Sequence, residues 1–290
     1  MDSVIRARFY QVENFTNGQA TLFDALHQLW NHPQREVYED IFGGIRVRIE
    51  RFETDNEVVG NDFVAGEFVR QQTENIPPIA PQGGPLEGQE NPLGHRSAFR
   101  YHARSGILLL ESRQSGLTPI RVDGLVKARL SGHQGYYLSP VVTEDAMHRL
   151  RNGTPRRVQF RVARPEDMQI VEGDDRMIGE NLSRMANNFG GLVVETSVGF
   201  PPGNRDGHLN LSAINRAVRW ATGNRDHVEK FKVKISEEEE PIDVFAEQLK
   251  VTETLTLENL DVERNYNARR DLLARGFNAY MPLIQRNYMQ

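Results

Sequence analysis

The stretch SAFRYHARSGILLLES, residues 97–112, reads as a β-hairpin. Ser97–His102 is one arm, Arg104, Ser105 and Gly106 form the turn region, and Ile107–Ser112 is the other arm. Alternation along the first arm puts Arg100 and His102 on one face and Tyr101 on the other. A hairpin of this kind calls for a sheet, and the segments around it supply one.

Upstream, Ile5, Ala7 and Phe9 alternate with Arg6, Arg8 and Tyr10, the period of a half-buried strand. Thr21 with Asp24 marks the start of a helix whose apolar face is Leu22, Leu26, Leu29 and Trp30. Ile45, Val47 and Ile49 form a second strand, and a third is expected from Asp62 to Arg70. Residues 75–94 hold five of the fourteen prolines together with Gly83, Gly84, Gly88 and Gly94, so they read as a long loop or linker. This divides the chain into an α/β segment 1–74, the linker 75–94 and a main domain 95–290, or leaves 1–74 continuous with that main domain.

Downstream, Ile120–Leu130 reads as a helix and Tyr136–Val142 as a strand; Thr143 opens a short helix that Gly153 ends. Val158, Phe160 and Val162 then alternate with Arg157, Gln159 and Arg161. Further helices are expected near Asp174–Asn188 and Asn210–Thr222, with strands at Leu192–Gly199, Val228–Ile235 and Leu249–Leu257. Glu237–Glu240 reads as a solvated turn. A long helix, Leu260–Arg286, closes the chain, with Val262, Tyr266, Arg269 or Arg270, Leu273 and Phe277 as its stripe. Short strands between irregularly placed helices indicate an α+β fold: a mixed, mainly antiparallel sheet with flanking helices. The stripe of the last helix either covers the sheet or pairs with a second copy, and a homodimer is expected.

At 38% hydrophobic and 26% charged residues, the 290-residue chain can bury a core. It has no cysteine, which excludes disulfides, thiolate catalysis and Cys-ligated metals. No apolar segment opens the sequence and no run approaches a membrane span, so a cytoplasmic protein without direct membrane insertion is expected.

Charge is unevenly spread. Residues 1–94 carry 7 basic and 15 acidic side chains, net −8; residues 95–164 carry 13 and 4, net +9; residues 165–290 carry 15 and 21, net −6. A basic segment between acidic flanks suits a polyanion partner. The competing reading is that these arginines pair with the acidic flanks across the fold.

The sequence holds no Walker-type phosphate loop, GxGxxG, GxSxG or HExxH. No catalytic residue, metal site or cofactor is expected. Arg96 and His102 resemble the Arg-x(4–6)-His pattern of HEPN ribonucleases, but that pattern belongs on a helix and this segment alternates as a strand. Nucleic-acid contacts ask for less geometry. Arg157 and Arg161 share a side of their strand, and Arg121, Lys127 and Arg129 lie between it and the hairpin. If the strands are neighbours, Arg96, Arg100, Arg104, Arg121, Lys127, Arg129, Arg156, Arg157, Arg161 and Arg164 form a ridge that tracks phosphates.

The hairpin 99–113, the helical segment Ile120–Leu130, the run Glu229–Glu240 into Pro241-Ile242-Asp243-Val244-Phe245, then a strand and a long closing helix, resemble the layout of the RexA and KwaB-like proteins of bacteria and their phages. That resemblance implies a cytoplasmic, dimeric, DNA-binding component of an anti-phage system, often acting with a membrane-protein partner. The sequence-level expectation is therefore a non-enzymatic, largely sequence-independent binder of double-stranded DNA in phage defence or exclusion. The alternatives are a module that binds an acidic partner protein, or a nuclease with dispersed active-site residues.

Overall fold

The computed structural model describes residues 2–14, 20–41, 44–54, 62–73, 93–113, 116–165, 176–201, 204, 207–236, 239–258 and 261–289. The elements run β1 (Asp2–Asn14), α1 (Leu22–Asn31), β2 (Glu39–Ile41), β3 (Ile45–Thr54), β4 (Phe63–Gln72), β5 (Leu93–His102), β6 (Ile107–Glu111), α2 (Pro119–Arg129), β7 (Tyr136–Pro140), α3 (Glu144–Asn152) and β8 (Arg157–Ala163). They continue with α4 (Arg176–Phe189), β9 (Val193–Gly199), α5 (Leu211–Gly223), β10 (Val228–Lys234), β11 (Ile242–Asp243), β12 (Lys250–Thr256) and α6 (Val262–Tyr288). The α+β expectation holds, with antiparallel strand pairing and a long last helix. The chain divides into two compact units, 1–8 with 12–137 and 250–290, and 9–11 with 138–249.

The first unit is built on a sheet of order β12-β1-β6-β5-β4-β3-β2, with β7 also paired to β1. The hairpin is its centre: Phe99 faces Leu110 and His102 faces Ile107, and Gly106 takes φ +66° in the turn. β4 pairs with β5 from Phe63↔His102 to Gln72↔Leu93, so residues before and after the Pro/Gly-rich stretch share one sheet. Residues 75–92 of that stretch lie outside the described residues. Thr21 and Asp24 make the expected reciprocal cap on α1, Thr21 N–H donating to Asp24 Oδ2 at 3.0 Å and Asp24 N–H to Thr21 Oγ1 at 3.3 Å. α1 then buries Leu22, Ala25, Leu26 and Leu29.

α6 lies along β5, β4 and β12. Tyr266, Leu273 and Phe277 are buried, and the Phe277 ring meets Phe63 edge-on at 5.1 Å. At Gly276 a Cβ would come within 2.4 Å of Val251, so glycine permits this close approach to β12. The stripe is thus occupied by the chain's own sheet, and dimerisation through it is not how this helix is used. Pro282 lies inside α6 without ending it.

The second unit holds a sheet of order β11-β10-β8-β9. Phe160 pairs with Phe231 and Val158 with Val233, and all four side chains are buried. Trp220 of α5 meets Phe160 edge-on at 5.7 Å, which places α5 on the same inner face. Of the acidic run, Glu237 and Glu238 lie outside the described residues, while Glu239 pairs with Arg149 of α3 at 3.1 Å. β2 and β11, three and two residues long, are strands too short for hydropathy alternation to announce.

Candidate nucleic-acid interface

The outer face of the four-stranded sheet is set by register. Because opposite residues share a face, burial of Val158, Phe160, Phe231 and Val233 turns their neighbours outward. Arg157 stands opposite Lys234, Gln159 opposite Lys232, and Arg161 opposite Lys230. The result is a row of five cations on two adjacent strands, with outward residues about 6.6 Å apart at a rise of about 3.3 Å per residue. Arg157, Lys230 and Lys232 make no ion pair among the described residues. Arg161 pairs with Glu229 at 2.8 Å, and Gln159 donates to Glu195 on β9 at 2.7 Å. The Arg161 end is therefore partly neutralised, and at the other end of the row Asp243 stands opposite Lys232. At the end of β8, Arg164 is exposed and sits at φ 46°, a left-handed conformation uncommon for a non-glycine residue. Arg156, just before β8, donates to the Asn204 carbonyl.

The other arginines of the basic segment are used differently. β5 and β8 lie in different sheets, so the hairpin and the Arg157 strand are not neighbouring strands. Arg96 pairs with Glu67 at 2.5 Å and with Glu50 at 3.6 Å, and Arg104 pairs with Asp62 at 3.0 Å. Arg129 pairs with Glu39 at 2.6 Å and donates to the carbonyls of Gln34 and Val37. Lys127 pairs with Asp123 at 2.8 Å; burial pushes the Asp123 carboxyl up, with Lys127 opposing. Arg121 donates to the Gly116 carbonyl at 2.7 Å. Arg100 is buried, its guanidinium 4.3 Å from the Phe63 ring centre, beside a cavity of about 280 Å³ also lined by Glu53, Arg270 and Asp271. In the first unit, then, Arg96, Arg104 and Arg129 meet acids that the sequence places in the preceding segment.

The densest of these pairings lies under α6. Glu67 and Glu111 are fully buried, and the guanidinium of Arg269, also buried, donates to both, to Glu111 at 3.1 Å. Arg113 donates to Glu111 at 2.5 Å, and the Ala98 N–H donates to it at 2.9 Å. Carboxylates this deep need several charged donors, and these supply them. The resemblance of Arg96 and His102 to a ribonuclease pair does not survive: six strand residues place them about 20 Å apart. His102 is buried, its Nδ1 2.8 Å from Ser105 Oγ, and burial lowers its pKa. Among the described residues no group of three or more His, Asp or Glu is placed to hold a metal.

Lys230, Lys232 and Lys234 are the residues that sequence reasoning missed. Lys-Phe-Lys-Val-Lys at 230–234 is a strict two-residue alternation of the same sign as Arg157–Arg161, so the signal exists. That the two strands are neighbours is visible only in the fold.

Comparison with known families places the chain. A family of unknown function, DUF6731, matches residues 4–275, and the protein belongs to it. No curated protein matches the sequence significantly. No described helix is long and apolar enough to cross a membrane.

Proposed function

We propose that this protein binds nucleic acid, double-stranded DNA foremost and largely without sequence preference, through the outer face of the β11-β10-β8-β9 sheet. The observation that carries the reading is the register that sets Arg157 and Arg161 against Lys234 and Lys230, with Lys232 between. Extended cations on a flat face meet phosphates and give affinity without base readout. The setting in phage defence or exclusion, with a membrane-protein partner, rests on the resemblance in layout alone. Binding requires only this face; no step of chemistry is assigned to it.

The test is a gel-shift or anisotropy titration with duplex DNA at several salt concentrations. About two to three phosphate contacts predict a log–log salt slope of roughly −2 to −3. The triple variant R157Q/K230Q/K232Q is expected to bind at least tenfold more weakly on every sequence and to flatten the slope by about 0.9 for each phosphate no longer neutralised. Its folding stability should stay within about 0.5 kcal/mol per substitution, since these side chains face solvent. Parent-like affinity in a folded triple variant overturns the proposal. Binding of polyglutamate without binding of DNA would move it to an acidic partner protein.

A further inference from the structure

Large apolar side chains exposed to solvent are concentrated in one place. Of the nine exposed large hydrophobic residues among the described ones, five (Met185, Phe189, Leu192, Val193 and Val198) fall in the fourteen residues at the end of α4 and along β9. Phe189 is 86% exposed and Leu192 66%. β9 is also an outer strand of its sheet. Edge strands are normally shortened or charged to prevent pairing with another chain. The end strands β2, β11 and β12 obey that rule. β2 has three residues and β11 two, while β12 displays Thr252, Glu253 and Thr254, with Arg275 paired to Glu253 at 2.8 Å. β9 has seven residues, and its single charge is Glu195.

We infer that β9 pairs antiparallel with β9 of a second copy, about a two-fold axis through Thr196. The strand is self-complementary in that register. Val194 meets the partner's Val198, Thr196 meets the partner's Thr196, and continuing the alternation Leu192 meets the partner's Phe200. All of these lie on the face that Val194 buries. On the other face Val193 meets the partner's Gly199 and Glu195 meets the partner's Ser197, so no like charges oppose. Apolar pairs and Thr–Thr pairs are the cross-strand combinations that stabilise a sheet. A shift by one residue would set Glu195 against Thr196 or Val198 and lose the match, and a shift by two would set Glu195 against the partner's Glu195 or put Thr196 out of line with itself. β9 has no cation to recruit nucleic acid, and its pattern matches itself, which selects a second copy as the occupant.

A two-fold axis perpendicular to the sheet keeps like faces on one side. The two rows Arg157, Arg161, Lys230, Lys232 and Lys234 then lie on a common face of one continuous eight-stranded sheet. That consequence rests on the nucleic-acid reading above; the pairing itself does not.

Light scattering on the full chain at micromolar concentration should give twice the 33.1 kDa of one copy. Val198→Lys, at an exposed position, should return the mass to 33.1 kDa with the melting temperature of the monomer unchanged. Because the chain has no cysteine, Thr196→Cys introduces a single thiol on the proposed axis. Antiparallel partners lie about 4.5–5.5 Å apart at Cα, within disulfide range, so mild oxidation should cross-link it to a reducible dimer. Thr254→Cys on β12 should not cross-link. A parent mass of 33.1 kDa, or a dimer that Val198→Lys leaves intact and Thr196→Cys does not cross-link, overturns the inference. A monomer that still shifts DNA would remove the dimer alone, and a dimer that shifts none would remove the nucleic-acid reading alone.

Discussion

The two sheets spend the same residue type in opposite ways. Around the β12-β1-β6-β5-β4-β3-β2 sheet, cations of the strands, the hairpin turn and the helices turn onto acids: Arg269 on Glu67 and Glu111, Arg96 on Glu67, Arg104 on Asp62, Arg129 on Glu39. In the β11-β10-β8-β9 sheet they stand outward in a row, where Arg161 meets Glu229 and, among the described residues, Arg157, Lys230 and Lys232 make no ion pair. Desolvation decides between the two. A guanidinium under a helix keeps its charge only with carboxylates to hold it, whereas one on an open face needs none and stays available to a partner. A positive net charge in one segment is therefore not a binding surface until the partners of each cation are known.

That contrast is broken most forcefully at Arg269. Arg269→Met leaves Glu67 and Glu111 buried without the cation they share, and should destabilise the protein by about 3–5 kcal/mol. Urea denaturation measures it, and a loss below about 1 kcal/mol would mean that the ion-pair cluster under α6 is not what holds the helix down. DNA affinity of the folded fraction should be unchanged, because the site assigned to binding lies in the other sheet.

Arg96 gives a smaller and sharper contrast. Its place in the basic segment groups it with Arg157, yet it is joined to buried Glu67. Arg96→Gln should cost about 1–3 kcal/mol, the range for a hydrogen bond to a charged group, and leave DNA affinity and its salt slope as in the parent. Arg157→Gln should do the reverse, weakening affinity with little change in melting temperature. If both variants lose affinity equally, the division between structural and available arginines fails.

The smallest effect is expected at His102. Burial lowers its pKa below the ordinary 6.5, so the unfolded chain takes up the proton first as the medium is acidified. Stability should accordingly fall as pH drops below about 6.5. His102→Asn, able to face Ser105 but unable to titrate, should flatten that slope between about pH 7 and 5 in thermal melts. An unchanged slope would assign the acid sensitivity to other groups.

Much of the fold is legible in the sequence. The hairpin at 97–112, the capped α1, the Arg157–Arg161 alternation and the long α6 are set by local rules: two-residue alternation, a 3.6-residue stripe, and a threonine and an aspartate placed to satisfy free N–H groups. Those rules act over a few residues, so a single sequence contains them. The same rules put Arg157 and Arg161 on one face of their strand, and Lys230, Lys232 and Lys234 on one face of another.

What only the tertiary structure decided is which faces meet. Whether the hairpin and β8 share a sheet, whether β10 lies beside β8, and which edge is left with an apolar border all depend on strand pairing between distant segments. Arg269 finds Glu111 from 158 residues away and Glu67 from 202. An arginine reads identically in sequence whether its carboxylate is buried beside it or absent, because its partner is chosen by chain closure and burial rather than by neighbouring residues. The sequence thus determined the elements and the outward side of each strand. The packing of those strands determined which cations meet buried carboxylates and which face outward.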